Sequence, residues 1–252
     1  MKDLSRRMRD LIFVGLVAVA AGPADAAGVV SLTQERAVAG GITSGDGPGF
    51  PILITDPGSY RLDTDLYPDS VAAGIIILSP NVTLDLNGFR MFGGAQTMDA
   101  ILGTQPGATI KNGTITKFQR HAIFASADSW TVDNMRIVEN GNSGIADAIT
   151  CGELCIVRDC TIALITGKGI RAGRASLAER NLMSHILDDA IEMLSGGMVL
   201  GNFINGPQSP GVLAIRGRPE SPVGYGENAI LNFIAPQTSG AVPLNPNACF
   251  GC

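Results

Sequence analysis

The sequence predicts an all-β fold, a right-handed parallel β-helix (a solenoid) of about seven coils with N- and C-terminal caps. Two observations predict it. A small residue followed by an aliphatic one recurs as Gly74-Ile75, Ala100-Ile101, Ala122-Ile123, Gly144-Ile145, Gly169-Ile170, Ala190-Ile191 and Gly211-Val212, at steps of 26, 22, 22, 25, 21 and 21 residues. A second landmark keeps phase with it: a short β-prone run with Asn, Asp or Gly near its middle, at Val82–Phe89, Thr109–Ile115, Thr131–Ile137, Ile156–Ile162, Leu177–Met183, Val199–Ile204 and Ala229–Ile234. A fixed period of this size marks stacked supersecondary units. Leucine-rich repeats need a dense Leu skeleton that is absent. Helical repeats need an apolar stripe at three- and four-residue spacing, whereas these apolar runs are short, often alternate and are broken by turn residues.

Residues 1–26 read as a secretory leader. Lys2, Arg6, Arg7 and Arg9 precede the apolar run Leu11–Ala21, and Ala24-Asp25-Ala26 fits a small-x-small cleavage site. The run is too short to cross a bilayer, which takes about 20 residues. The expected location is therefore secreted or periplasmic, with no membrane span in the mature chain. Residues 27–69 read as an N-terminal cap. Ser31 and Gln34 suggest a capping box for a helix over Leu32–Ala39, and Ile52-Leu53-Ile54 and Tyr60-Arg61-Leu62 suggest strands around the Asp56-Pro57-Gly58 turn. Residues 70–234 are the parallel β-helix. Residues 235–252 read as a C-terminal tail or cap in which Pro236, Pro243 and Pro246 oppose strand pairing.

Composition narrows the partners. With 5% aromatic residues and 32 glycines the chain suits a thin, turn-rich stack. A net charge of −5 without a basic stripe argues against nucleic acid, which needs cations to neutralise phosphates. Five cysteines fit an exported protein, and the odd count leaves at least one thiol unpaired in a monomer. Pairing among Cys151, Cys155, Cys160, Cys249 and Cys252 stays open. Asn81-Val82-Thr83 and Asn112-Gly113-Thr114 match glycosylation sequons, and the same asparagines suit turns or an amide ladder along the stack.

The repeat also places side chains. Two residues before each landmark stand Asp99, His121, Ser143, Lys168, Asp189 and Pro210; one residue after stand Ile76, Leu102, Phe124, Ala146, Arg171, Glu192 and Leu213. Both columns are expected on the outward face. Lys168 then lies one coil from Asp189, and Arg171 one coil from Glu192, with Asp188 and His185 on the approach. One reading of this patch is ordinary cross-strand charge pairing. The other is a sugar-acid site. Uronate chemistry needs a cation on the carboxylate, a base for the ring proton and an acid for the leaving oxygen, and glycoside hydrolysis needs two carboxyl groups. Asp188, Asp189, Glu192, Lys168 and Arg171 are the catalytic candidates; His185, Arg216 and Trp130 are the substrate-binding candidates, Trp130 reading either as a sugar-stacking platform or as a cap over an apolar seam. His121 reads as a solvated turn residue, and the two histidines do not make a zinc site.

The small-Ile landmarks, the Asn/Asp-centred runs and the stretch Pro57-Gly58-Ser59-Tyr60-Arg61-Leu62 followed by Asn81-Val82-Thr83-Leu84-Asp85-Leu86-Asn87-Gly88-Phe89 together resemble the right-handed parallel β-helix repeat proteins of the pectate-lyase-like superfamily, over roughly two-thirds of the chain. That superfamily includes lyases, hydrolases, epimerases and non-catalytic surface proteins. The resemblance therefore implies an extended polysaccharide as partner, bound and processed or only bound, with a non-catalytic surface or adhesin-like role as the alternative. Asp188-Asp189-Ala190-Ile191 resembles the paired-Asp coil of polygalacturonase-like hydrolases, but Ser209-Pro210-Gly211-Val212 stands where their Gly-His-Gly is expected. No Tyr-Gly-Phe-Asp epimerase motif is present. No cofactor motif is evident. Calcium is the one ion the resemblance implies, without an obvious acidic cluster to hold it.

Overall fold

The computed structural model describes residues 28–69, 72–141, 146–207, 209–234, 237–244 and 247–250. The expected leader, the Gly144-Ile145 landmark and Cys252 lie outside the described residues. The chain is an all-β parallel solenoid. A representative coil has three strands, Ile170–Ala172, Leu177–Glu179 and Leu182–Ile186, and the next repeats it as Ile191–Met193, Met198–Leu200 and Phe203–Asn205. First strands stack into a nine-stranded sheet from Ile52–Ile54 to Thr238–Ser239. Second and third strands form a sixteen-stranded sheet that bends along its length, because Thr109–Thr116 and Thr131–Asn140 run through the corner unbroken. Nine rungs at about 4.8 Å make a rod roughly 38 Å long.

The corner explains the second sequence landmark. Asn87, Asn112, Asn134, Asp159, Arg180, Gly201 and Glu227 occupy it on successive coils, all with φ between 50° and 62°. This left-handed backbone region favours Gly, Asn and Asp. On six of these coils it appears in the sequence as the turn residue near the middle of the β-prone run; Glu227 precedes the last run, Ala229–Ile234.

Inside, one column of isoleucines holds the first sheet: Ile52, Ile75, Ile101, Ile123, Ile149, Ile170, Ile191 and Ile215, each 0% exposed and each in register with the next. Two expected landmarks are thereby corrected. The fourth coil uses Ala148-Ile149 instead of Gly144-Ile145, and the seventh uses Ala214-Ile215 instead of Gly211-Val212. From Ile75 onward the residue before each isoleucine is Gly or Ala because it turns inside the stack: a Cβ on Gly169 would lie 2.1 Å from the Met183 methyl and 2.6 Å from the Ala190 carbonyl.

Parallel pairing continues past both expected ends of the helix. Ile52–Ile54 pairs with Ile75–Ile77, and Val29–Leu32 pairs with Gly58–Leu62. At the other end Thr238–Ser239 and Ala241–Pro243 add rungs, so the prolines do not prevent pairing there. Pro243 is tolerated because its strand bonds on one side only, where a missing N–H can face outward. The helix is Gln34–Ala39, capped by Thr33, whose hydroxyl accepts the Arg36 N–H at 3.1 Å. Ser31, the expected cap, lies in the preceding strand and bonds Asp63.

Trp130 is wholly buried. Its indole donates to the Gln105 carbonyl at 2.9 Å and lies over Gly103, where a Cβ would come within 2.1 Å of the ring. The expected surface platform for a sugar is corrected: this ring fills the space left by Gly103 in the inward column and presents no face to solvent.

Two polar ladders order the stack. On the outer face Arg61, Asp85, Lys111, Asp133, Arg158 and Glu179 follow one another in register with alternating sign, and Lys111–Asp85 and Arg158–Asp133 close at 3.6 and 3.2 Å. Inside, Asn181, Asn202, Asn228 and Asn247 form the amide ladder. Each of the last three accepts the backbone N–H of the one before at 2.9–3.0 Å. Cys151 and Cys155 form a disulfide across the corner after the first strand, and Cys160 is free and buried.

Candidate functional site

Restoring the register regroups the charged columns. Two residues before the inward isoleucines stand Asp99, His121, Asp147, Lys168, Asp189 and Leu213; one residue after stand Phe124, Thr150, Arg171, Glu192 and Arg216. Pro210 and Ala146 leave the columns, and Ser143 lies outside the described residues. Arg216 joins them directly opposite Glu192.

The first column is not outward as expected. Asp99, Asp147 and Asp189 are 1%, 1% and 0% exposed. Each occupies the corner where the chain enters the first sheet, and each accepts the backbone N–H of the equivalent residue one coil on: His121 on Asp99 at 3.0 Å, Lys168 on Asp147 at 2.9 Å and Leu213 on Asp189 at 2.9 Å. A buried N–H left unpaired is costly, so a short acceptor is needed at this corner. His121 is held in the same column: its Nδ1 accepts the Asp147 N–H at 3.1 Å, and its ring meets Phe124 at 5.1 Å.

Lys168, Asp188, Asp189, Glu192 and Arg216 come together. The Lys168 ammonium lies 2.9 Å from Asp188, 3.2 Å from Asp189 and 3.1 Å from Glu192, one carboxylate for each of its three N–H donors. Asp189 Oδ1 accepts from Leu213 N and from Arg216 Nη2 at 3.2 Å, while Oδ2 accepts from Arg216 Nε and Lys168 Nζ. All four acceptor positions of that carboxylate are occupied. Burial opposes charge on Lys168, but the hydrogen bonds to Asp188 and Glu192 outweigh it and hold the ammonium above its ordinary pKa. Burial likewise pushes Asp189 up, and the Arg216 guanidinium, the Leu213 N–H and the Lys168 charge outweigh it, so its carboxyl titrates below the ordinary range.

Arg171 and His185 stand apart from the cluster, and Asp188 lies at its open rim. Arg171 is in register with Glu192 but exposed, and among the described residues it makes no ion pair because Glu192 turns to Lys168. His185 contacts Ser184 through Nδ1 at 2.6 Å, at a positive-φ corner of the other sheet. Asp188 is the most accessible acid, 43% exposed, with Oδ1 on the Asp189 N–H and Oδ2 on Lys168.

The arrangement can fix two coils to their neighbours, but it offers no unoccupied base beside an unoccupied acid. Among the described residues no three His, Cys, Asp or Glu side chains are grouped to hold a metal ion, and no helix is long and apolar enough to cross a membrane. The fold and the cluster define a parallel β-solenoid with an ion-paired corner. No protein-family model, curated protein or solved structure matches the chain.

Proposed function

We propose that this protein is an exported, non-catalytic β-solenoid that acts as a surface or structural element. One observation carries the reading: the most acid- and base-rich cluster on the rod satisfies itself. A general base needs an accessible lone pair and a pKa near the working pH. Asp189 has neither, and Lys168 keeps its proton and spends all three donors on neighbouring carboxylates. The Cys151–Cys155 disulfide supports export, since such bonds persist in oxidising compartments.

The test is incubation with acidic and neutral polysaccharides, with and without calcium, following unsaturated products and new reducing ends. The expected result is no product in either assay. Turnover by the parent that disappears in Asp188→Asn would overturn the proposal and return the cluster to catalysis.

A further inference from the structure

Three outward columns change character at the same height on the rod. In the second strands Thr83, Thr109 and Thr131 give way to Ile156, Leu177 and Met198. In the third strands Thr114, Arg136 and Thr161 give way to Leu182 and Phe203. The sign-alternating ladder stops there too, because Leu200 follows Glu179. Apolar side chains scattered singly over a surface need no explanation. These are not scattered. Leu182, Met198 and Phe203 are 47%, 42% and 40% exposed and belong to two adjacent coils, on either side of the corner at Arg180 and Gly201. Exposed Leu244 carries the patch one coil further by lying over Gly224, which follows Met198 in its column; a Cβ on Gly224 would come within 2.8 Å of the Leu244 Cδ1.

We propose that this patch binds its own counterpart on a second copy of the chain. Its size fits. The first column runs from Ile156 to Val242 over five rungs, about 24 Å at roughly 4.8 Å per rung, and Leu177 to Leu182 spans six residues, about 20 Å at roughly 3.3 Å each. The face is therefore roughly 500 Å² on one copy, and two copies together would bury about 1,000 Å², the lower limit for a specific protein interface. Its charge fits as well. Arg180 is held by Asp159 at 2.8 Å and by Glu179 at 3.0 Å, so it sets no unpaired charge against a second copy.

Other occupants match less of this. A lipid surface is held by apolar contact together with cations that meet its anionic headgroups, whereas the chain carries a net charge of −5 and Arg180 is already neutralised. A peptide strand docks on a free sheet edge, and these strands pair on both sides. The patch shares no residue with the Lys168 cluster, so it stands whether or not that cluster is inert.

Sedimentation equilibrium of the mature chain over about 1–100 µM, with free thiols blocked by iodoacetamide, is the test. The parent should pass from monomer to dimer as concentration rises, and about 1 M NaCl should not dissociate the dimer, because salt screens charges and not apolar contacts. Phe203→Glu and Leu182→Glu each change both copies at once and should weaken association roughly tenfold or more. Leu78→Glu places the same charge at a leucine that is 41% exposed just beyond the first strand Ala73–Ile77, outside the patch, and should leave association unaltered. Circular dichroism of each variant confirms that it is folded. A monomer throughout the range, a dimer that salt dissociates, indifference to both Phe203→Glu and Leu182→Glu, or an equal effect of Leu78→Glu would each overturn the proposal.

Discussion

Replacing Asp189 with alanine tests whether the ion-paired corner holds coils together. The substitution strips the Leu213 N–H of its acceptor inside a residue that is 4% exposed, and a buried unpaired donor costs about 1–3 kcal/mol. It also removes one partner from Lys168 and Arg216. For a fully buried pair that loss is about 3–5 kcal/mol. Here it is smaller: Arg216 is 41% exposed and can rehydrate, and Lys168 keeps Asp188 and Glu192. The combined expectation is a destabilisation of about 3 kcal/mol for Asp189→Ala. Asp189→Asn, whose side-chain carbonyl still accepts from Leu213, should lose about half as much. Urea unfolding at neutral pH measures both through the midpoint at constant slope. Acid titration adds a second readout. The folded carboxyl titrates below its unfolded value of about 3.9, so its contribution is complete above that pH and is lost as the pH falls through the folded pKa. The parent should therefore lose more stability on acidification than Asp189→Asn does. An alanine variant within about 0.5 kcal/mol of the parent, the range of ordinary surface changes, would refute the structural role.

Ile149→Asp places a charge in the isoleucine column and should abolish the cooperative unfolding transition, because the cost of several kcal/mol rivals the whole stability of a typical domain. Burial pushes the Cys160 thiol up to about 12, so a thiol reagent at pH 8 should leave it unmodified in native protein and modify it rapidly in denaturant. Trp130 should show blue-shifted emission that acrylamide barely quenches, and Trp130→Ala should cost about 3–5 kcal/mol through the cavity left over Gly103. Removing the Cys151–Cys155 crosslink with a double serine variant should cost about 2 kcal/mol from the short loop it closes.

The solenoid was legible because its repeat rests on local rules: a turn residue at a left-handed corner, and a small residue before an inward isoleucine. Its register was legible except where two adjacent choices competed. Gly144-Ile145 and Gly211-Val212 satisfied the small-aliphatic rule, yet the coils use Ala148-Ile149 and Ala214-Ile215. A signal for the first lay in the sequence: Asp-Ala-Ile occurs at 99–101, 147–149 and 189–191, and each Asp caps a backbone N–H of the next coil. That repeat would have moved the fourth landmark to Ile149. The charged patch was found, and Arg216 was named without its place opposite Glu192. Whether Asp189 faced water depended on where the corner falls relative to the strand, which alternation within a strand cannot supply. Trp130 left a surface platform and an apolar cap both open for a related reason: only the neighbouring coil's Gly103 reveals the space that it fills.

The alternating outer ladder bears on how the chain finds its order. All coils share one shape, so a segment that skipped a neighbour and docked one coil too far would bury nearly the same apolar surface. Sign alternation breaks that near-equivalence. A skipped coil would set Arg61 against Lys111, Asp85 against Asp133, Lys111 against Arg158 and Asp133 against Glu179, like against like at every step. Each correct pair adds little to the stability of the finished rod. Their collective contribution is to discrimination, penalising the out-of-sequence stacks and exchanged coils to which a repetitive chain is prone.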